Sequence, residues 1–487
     1  MLKKVLLVFS MILLTAHIYG QDLKTGMTLD QVLQRAQSNS LDAFLQKHIY
    51  QARQWEYKSF LADRLPNLSL SMTPFDYDRS FVQRYNSLND RDEYRERQSL
   101  YSYARMSLTQ NLSLTGGTIY VDSDLGRLQN YGDASSKSYT TTPIRVGLIQ
   151  PLWGYNRFRW DRKLQPLKFD KAKKEYVENL QEINLKGVSL FFAQAMAQLK
   201  EEMARTNHEN SITLLEMGKK RYKIAAIKQN ELLNLELNVL NAEIQVAQAE
   251  KNLKQSQFEL NLFLDQDENT TMHLTLPQQI PQLTLDASQA MDLAMKNNPL
   301  ILEQRQRELE ADQMVDKNHK ESRFQANLVA SYGLNQRSKG LEDAYRDPMD
   351  QQKVKISVDI PILDWGKRKG KYQMALSNRE VTRLSVKQTR VDFSREITRR
   401  VIDFNLQDKL VMSARKANDI ALKSYAVTLK LFKEGKASVL QLDDALRKQE
   451  AARSEYIQSM ENYWIYYYSI QKLTLYDFLN DKPRRFF

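Results

Sequence analysis

Histidine, cysteine and clustered carboxylates are where catalysis or metal binding would first show. Outside the apolar N-terminal segment the chain carries His48, His208, His273 and His319. No two of them lie three to five residues apart, and no His-Glu-x-x-His run occurs. No single helix face can therefore present two imidazoles to a zinc ion. Cysteine is absent, which excludes thiolate metal sites, a Cys nucleophile, a disulfide framework and lipid anchoring through an N-terminal Cys. Asp443 and Asp444 form a carboxylate pair, but adjacent residues on a helix diverge and cannot share one substrate. Gly116-Gly117 is the densest glycine pair and has no phosphate loop behind it. These residues predict no enzyme, no metal and no cofactor.

The elements that would carry any function are long. In 487 residues there are 15 Gly and 11 Pro, less than half the usual ~7% and ~5%. A chain so poor in breakers tolerates extended helices. A hydrophobic share of 42% excludes global disorder. The 71 basic and 59 acidic residues give +12. The basic residues are spread along acidic and Gln-rich stretches without forming a stripe, which argues for a mixed solvated surface and against nucleic-acid binding.

Residues 1–20 read as a signal peptide. Lys3 and Lys4 precede an apolar run from Val5 to Leu14, and Gly20 offers a small residue before Gln21. The mature chain is expected to start at Gln21, outside the cytoplasm. No later stretch reaches 18 consecutive apolar residues, so any membrane crossing would have to be a closed β-barrel.

The sequence is written twice. Thr28-Leu-Asp-Gln31 and Asp286-Ala-Ser-Gln289 both read as capping boxes at the start of a helix. Ala36, Asn39 and Leu70 match Ala294, Asn297 and Leu328 at the same spacing. Val146, Leu148, Pro151 and Leu152 match Ile356, Val358, Pro361 and Ile362 at an offset of 210, and Tyr222-Lys223 matches Phe432-Lys433 at that offset too. The first repeat spans 21–284 and the second 285–475, with a tail at 476–487. Helical parts without insertions fit two hairpins that must end at one level.

Each repeat predicts a helix over about 29–62 or 287–322, then strands, then a very long helix over about 166–217 or 367–431. Return helices start near 229 and 439. Leu68, Leu70 and Met72 alternate with polar neighbours. Val354, Ile356, Val358 and Ile360 alternate with Lys353, Lys355, Ser357 and Asp359. Period two with one aliphatic and one charged face suits a wall between lipid and a wet lumen. Trp153, Tyr155 and Trp365 lie just past the strand ends, as membrane-interface aromatics do. Leu233, Leu237, Leu240, Ile244 and Ala247 are spaced as a heptad seam, predicting coiled-coil packing.

The first repeat is longer than the second by an insertion near 78–141. Met106, Leu108, Leu112 and Leu114 alternate with polar residues, Gly116-Gly117 turns the chain, and Ile119 and Val121 resume the apolar face. This hairpin either extends the extracellular loops or adds two strands to the wall.

The signal segment, the duplicated helix–strand–strand–long-hairpin order and Thr-Leu-Asp at the repeat start resemble the TolC family of outer-membrane efflux proteins. So do the strand ends Gln150-Pro-Leu-Trp153 and Ile360-Pro-Ile-Leu363, and Phe432-Lys-Glu-Gly435-Lys-Ala-Ser438, which is similar to that family's hairpin tip. The resemblance covers about 28–475. It implies a homotrimer, mainly α with membrane β, in which each protomer gives four strands to a twelve-stranded outer-membrane barrel and long helices to a periplasmic coiled-coil tunnel. Twelve tunnel helices matched to twelve strands favour the loop placement of the hairpin. The implied partners are a periplasmic adaptor protein, an inner-membrane transporter and outer-membrane lipid. The tips, with Tyr222, Lys223, Ala225, Lys228, Phe432, Lys433, Gly435 and Ser438, would be the adaptor-contact and gating end, with closure resting on packing of Tyr222, Ile224, Ile227 and Phe432. The first tip departs from the family pattern, with Ala225 where Gly is frequent and Lys228 where Ser is frequent. Residues 421–428 hold no carboxylate for an acidic ring. The implied function is a passive efflux duct. A type I secretion duct and a periplasmic coiled-coil scaffold are the alternatives.

Overall fold

Thr28 and Asp286 start the first helix of each repeat. In the computed structural model, which describes residues 26–484 except 88, 133–134 and 269, Thr28 and Gln31 make the reciprocal capping box. Gln31 N donates to Thr28 Oγ1 (3.4 Å) and Thr28 N to Gln31 Oε1 (3.0 Å). At Asp286 only the capping half forms, from Ser288 N and Gln289 N to the carboxylate. The N-terminal apolar segment, the expected cut at Gln21 and the last three tail residues lie outside the described residues.

The elements follow in repeat order. They are α1 (Leu29–Asn39), α2 (Leu41–Ala62), β1 (Asn67–Asn86), β2 (Arg91–Asn111), β3 (Thr118–Tyr131), β4 (Ser136–Leu152), α3 (Arg157–Lys223) and α4 (Gln229–Phe263). The second repeat gives α5 (Ala287–Asn297), α6 (Pro299–Glu321), β5 (Gln325–Ser338), β6 (Met349–Asp359), α7 (Lys367–Lys433) and α8 (Val439–Thr474). Ser40 and Asn298 break the expected first helices in two. Their extended backbone ends α1 and α5, and Pro299 opens α6, where a missing N–H is harmless. The long helices α3 and α7 are both 67 residues, about 100 Å of helix each. They begin, end and turn at the offset of 210 read from the sequence.

The chain divides into two units. The first (to Tyr50, Lys173–Asn298, and Asp392 onward) is helical. Its core holds Val32, Ala36, Val188, Phe191, Phe192, Leu260, Ala290, Ala294, Ile397, Phe404, Met460 and Tyr463, all buried. The expected seam on α4 is not the one the chain buries. Leu235, Ala242 and Ala249, seven residues apart, are buried, while Leu233, Leu237, Leu240 and Ile244 are exposed. The tail, which has no pattern in the sequence, is ordered: Tyr476–Asp477 pairs with Lys482–Pro483.

The second unit (Gln51–Ala172, Pro299–Val391) carries one antiparallel sheet in the order β1-β2-β3-β4-β5-β6. Six strands replace the four that the resemblance implies. The inserted hairpin is not a loop: β2 pairs with β1 from Asn67↔Thr109 and with β3 from Asn111↔Thr118, and β3 pairs with β4 from Thr118↔Ile149. The count of helices, on which the loop placement rested, places no constraint on a hairpin whose ends are strands on both sides. Its turn is fastened at both flanks. Gln110 Nε2 donates to Arg64 O (2.8 Å) before β1, and Asn156 Nδ2 donates to Ser113 O (3.2 Å) and Leu114 O (3.1 Å) after β4.

Candidate functional site

Two constellations stand out: the sheet with two unlike faces, and the paired helix tips. On the sheet, register fixes which side chains share a face. One face gathers Leu68, Leu70 and Met72 of β1, Met106 and Leu108 of β2, Ile119 and Val121 of β3, Val146 of β4, Leu328 and Tyr332 of β5, and Val354, Ile356 and Val358 of β6. Most of these are exposed, so the face is a broad unpartnered aliphatic band. The opposite face is polar. Arg145 grips Asp122 with two parallel bonds, Nε–Oδ1 2.9 Å and Nη2–Oδ2 2.6 Å. Arg145 also lies 3.6 Å from Asp124, which lies 3.7 Å from Arg105. Asp122 is only 5% exposed, and a buried carboxylate is tolerable only when paired in this way. The hydroxyl end of the Tyr120 ring on β3 sits against Gly147, where an added Cβ would fall 2.2 Å from Cζ, so this close approach favours Gly.

The expected interface aromatics sit where α2, α3, α6 and α7 meet the sheet. Trp153 is exposed and packs edge-on against Phe324 at 5.7 Å. Trp365 is 89% exposed. Both adopt the left-handed region, φ 59° and 54°, which turns the chain sharply out of the strand. Tyr155 differs: it is half-buried and its hydroxyl accepts from Gln313 Nε2 (2.6 Å). Trp160, further along the same aromatic cluster, donates from Nε1 to Asp316 Oδ2 at 2.8 Å, and Ile362 of the second strand-end motif is 95% exposed.

The tips are built alike. Ala225 N bonds to Tyr222 O (2.9 Å) and Ala226 N to Arg221 O (2.8 Å). In the second repeat Gly435 N bonds to Phe432 O (3.0 Å) and Lys436 N to Leu431 O (2.8 Å). Each pair satisfies the last carbonyls of a long helix through one left-handed residue, Ala225 at φ 53° and Gly435 at φ 81°. Ser438 caps α8 in a reciprocal box with Gln441. Lys228 starts α4 with no acceptor of its own, and Glu231 reaches back to its N–H (3.0 Å). Lys223, Lys228 and Lys433 are exposed.

Phe432 is 5% exposed beneath Arg221, whose guanidinium lies 5.8 Å from the ring centre, whereas Ile224 is 75% exposed and Tyr222 is exposed too. Within one chain these side chains make no common plug. Arg221, absent from the expected set, joins the two tips: its Nη2 reaches Lys433 O (3.4 Å) and Phe432 O (3.5 Å). A groove of about 530 Å³ opens beside it, lined by Met217, Ile227, Leu235, Phe432 and Val439 among others. Nothing in the sequence distinguishes Arg221 from its neighbours Lys219 and Lys220.

Among the described residues no group of acidic, His or Cys side chains could hold a metal ion, and no helix is long and apolar enough to cross a membrane. Residues 290–474 match the family model for outer membrane efflux proteins. That stretch, most of the second repeat, carries this family's domain. Its fold is similar to that of the Campylobacter jejuni CmeC outer membrane channel (TM-score 0.67, 12% identity, 94% of this chain and 90% of that one). It is similar too to a membrane protein from Pseudomonas aeruginosa (TM-score 0.64, 14% identity, 93% and 90%) and to the open state of the Neisseria gonorrhoeae MtrE outer membrane channel (TM-score 0.62, 13% identity, 92% and 88%). No curated protein sequence matches. Family channels are homotrimers that work with efflux pumps, and they are ducts without bond chemistry.

Proposed function

We propose that this protein is the outer-membrane duct of a tripartite efflux pump, passing small molecules that an inner-membrane transporter drives outward. The observation that carries this reading is the two-faced sheet. An exposed aliphatic face suits lipid, and a polar face with a desolvated Arg145–Asp122 pair suits a water-filled lumen. The exposed heptad seam Leu233, Leu237, Leu240 and Ile244 supports the homotrimer, because a neighbouring copy would cover it. The tips are the adaptor-contact end: Tyr222, Lys223, Ala225, Lys228, Phe432, Lys433, Gly435 and Ser438 lie on two turns of one design, six turns in a trimer. Trp153, Tyr155 and Trp365 mark the periplasmic membrane interface, where an amphipathic ring meets headgroups.

Deleting the gene tests the class of cargo. Increased sensitivity to several chemically unrelated toxic compounds is expected. Unchanged sensitivity together with loss of one exported protein would support a type I secretion duct instead.

A further inference from the structure

We infer that three copies of this chain close a barrel of eighteen strands, six from each, with β1 of one copy paired to β6 of the next. The inference rests on the trimeric-duct reading above and concerns the size of the duct. The sheet has two open edges, β1 and β6, and every strand between them is paired on both sides. Lipid offers no hydrogen bonds to an open edge, so both edges must be paired and the sheet must close. The hairpin β2–β3 cannot be left out of that closure. β1 pairs along its whole length with β2 and nowhere with β4. Both barrel faces run across the hairpin: Met106, Leu108, Ile119 and Val121 continue the aliphatic band, while Arg105, Asp122 and Asp124 form the polar network with Arg145.

The two edges match. Both begin at the helical end of the sheet, at Asn67 and Asp359. Antiparallel pairing with aliphatic facing aliphatic sets Leu68 beside Val358, Leu70 beside Ile356 and Met72 beside Val354. This is the pattern that β5 already makes with β6 in Leu328↔Ile356. On the polar face the same register sets Lys353 of β6 beside Thr73 of β1 and diagonal to Asp76, which follows the β1 bulge. Among the described residues neither Lys353 nor Asp76 has an ion pair within the chain. Flanking the edge strands in the chain, Ile362 after β6 and Trp55 and Leu65 before β1 are all largely exposed, apolar surface for a second copy to cover. Barrel diameter grows roughly in proportion to strand number. Eighteen strands would enclose a lumen about half again as wide as twelve, roughly twice the cross-section.

The absence of Cys makes the test clean. Under mild oxidation in outer membranes, Leu68→Cys with Val358→Cys should crosslink copies into dimers and trimers. Leu68→Cys with Val146→Cys should not crosslink, because β2 and β3 separate the two residues by roughly 14 Å, beyond disulfide reach. An intramolecular bond in that second pair would place β1 beside β4 and overturn the inference. Electron cryo-microscopy of the unmodified trimer in lipid nanodiscs should count eighteen wall strands. A trimer with twelve overturns the inference and leaves the efflux duct standing; a chain that forms no trimer overturns the reading beneath it.

Discussion

Arg221, near the end of α3, donates from Nη2 to the carbonyl of Lys433, the last residue of α7, 3.4 Å away. The two residues are 212 positions apart in the chain, yet this bond and the one to Phe432 O tie the two tips of one protomer together. A charged donor on the last carbonyls of a helix also complements its dipole. A deformation of one tip should therefore be felt by the other.

Arg221→Ala is expected to loosen the second tip, at a cost of about 1–2 kcal/mol, while the sheet and trimer persist. Hydrogen exchange should rise at the α7–α8 turn, and adaptor crosslinking and transport should fall. Arg221→Lys should rescue only in part, since a compact ammonium lacks the planar head that reaches the carbonyls while lying near the Phe432 ring. Unchanged exchange at Gly435 in Arg221→Ala would show that the tips behave independently.

Gly435→Val should damage the second turn because φ 81° is a backbone conformation that a β-branched residue resists. About 1–2 kcal/mol of strain is expected. The nearest atom to an added Cβ is Arg221 Nη2, at 3.5 Å, so the penalty is backbone strain and not collision. Ala225→Gly is the opposite experiment: φ 53° is already left-handed there, and Gly should stabilise the first turn by about 0.5–1 kcal/mol. The expected result is normal trimer yield for both, with transport reduced in Gly435→Val alone. Normal transport by Gly435→Val would remove this turn from the docking site.

Much of this fold is legible in the sequence because the repeat constrains it. The offset of 210 places both long helices, both left-handed turns and both return helices, since hairpins that end together cannot differ in length. Alternation in β1 and β6 is legible for the same local reason: a side-chain period of two needs no tertiary information. Three features are not local. Whether β2–β3 joins the wall depends on which strand β1 prefers, and Leu68 and Leu70 carry no mark of that choice. The α4 seam contains two apolar rows, and the sequence cannot say which the chain buries and which it leaves for a neighbour. Arg221 matters through carbonyls 211 and 212 residues away, and one more basic residue after Lys219 and Lys220 gives no sign of it.

Asp477 is the staple of the tail. It is 1% exposed and accepts from Tyr467 Oη (2.7 Å), Asn480 Nδ2 (2.8 Å) and the backbone N–H of Leu479 and Asn480 (3.2 Å each), with Arg484 at 3.0 Å. Burial alone would push its carboxyl up. The bonds from Asn480 and Tyr467 and the charge of Arg484 outweigh it and hold the group below the usual carboxylate range. A depressed folded value means the stabilisation is fully present above the unfolded pKa of ~3.9 and is lost as pH falls through the lower folded value. The tail should stay docked at neutral pH and release only in strong acid. Asp477→Asn should lower the melting temperature at pH 7 and flatten its fall below pH 4. An unchanged acid limb in that variant would assign the acid sensitivity to other carboxylates.

Arg145 and Asp122 give the sharpest test of the polar wall. Removing one partner of a desolvated ion pair leaves the other charge buried and unpaired, which typically costs about 3–5 kcal/mol. Asp122 meets that condition, since its side-chain bonds are the two from Arg145. Arg145→Ala should therefore convert the trimer from its compact to its unfolded gel migration at a markedly lower temperature. Arg145→Ala combined with Asp122→Ala removes the stranded charge and should recover part of the loss, although Asp124 and Arg105 remain as a lesser pair 3.7 Å apart. The single and double variants thus make a cycle whose coupling should be positive and large, because the residues touch. A double variant no more heat-resistant than Arg145→Ala would mean that water already reaches Asp122 and screens it. The pair would then be part of an open lumen surface, and its value would lie in the field it presents to cargo and not in holding the strands together.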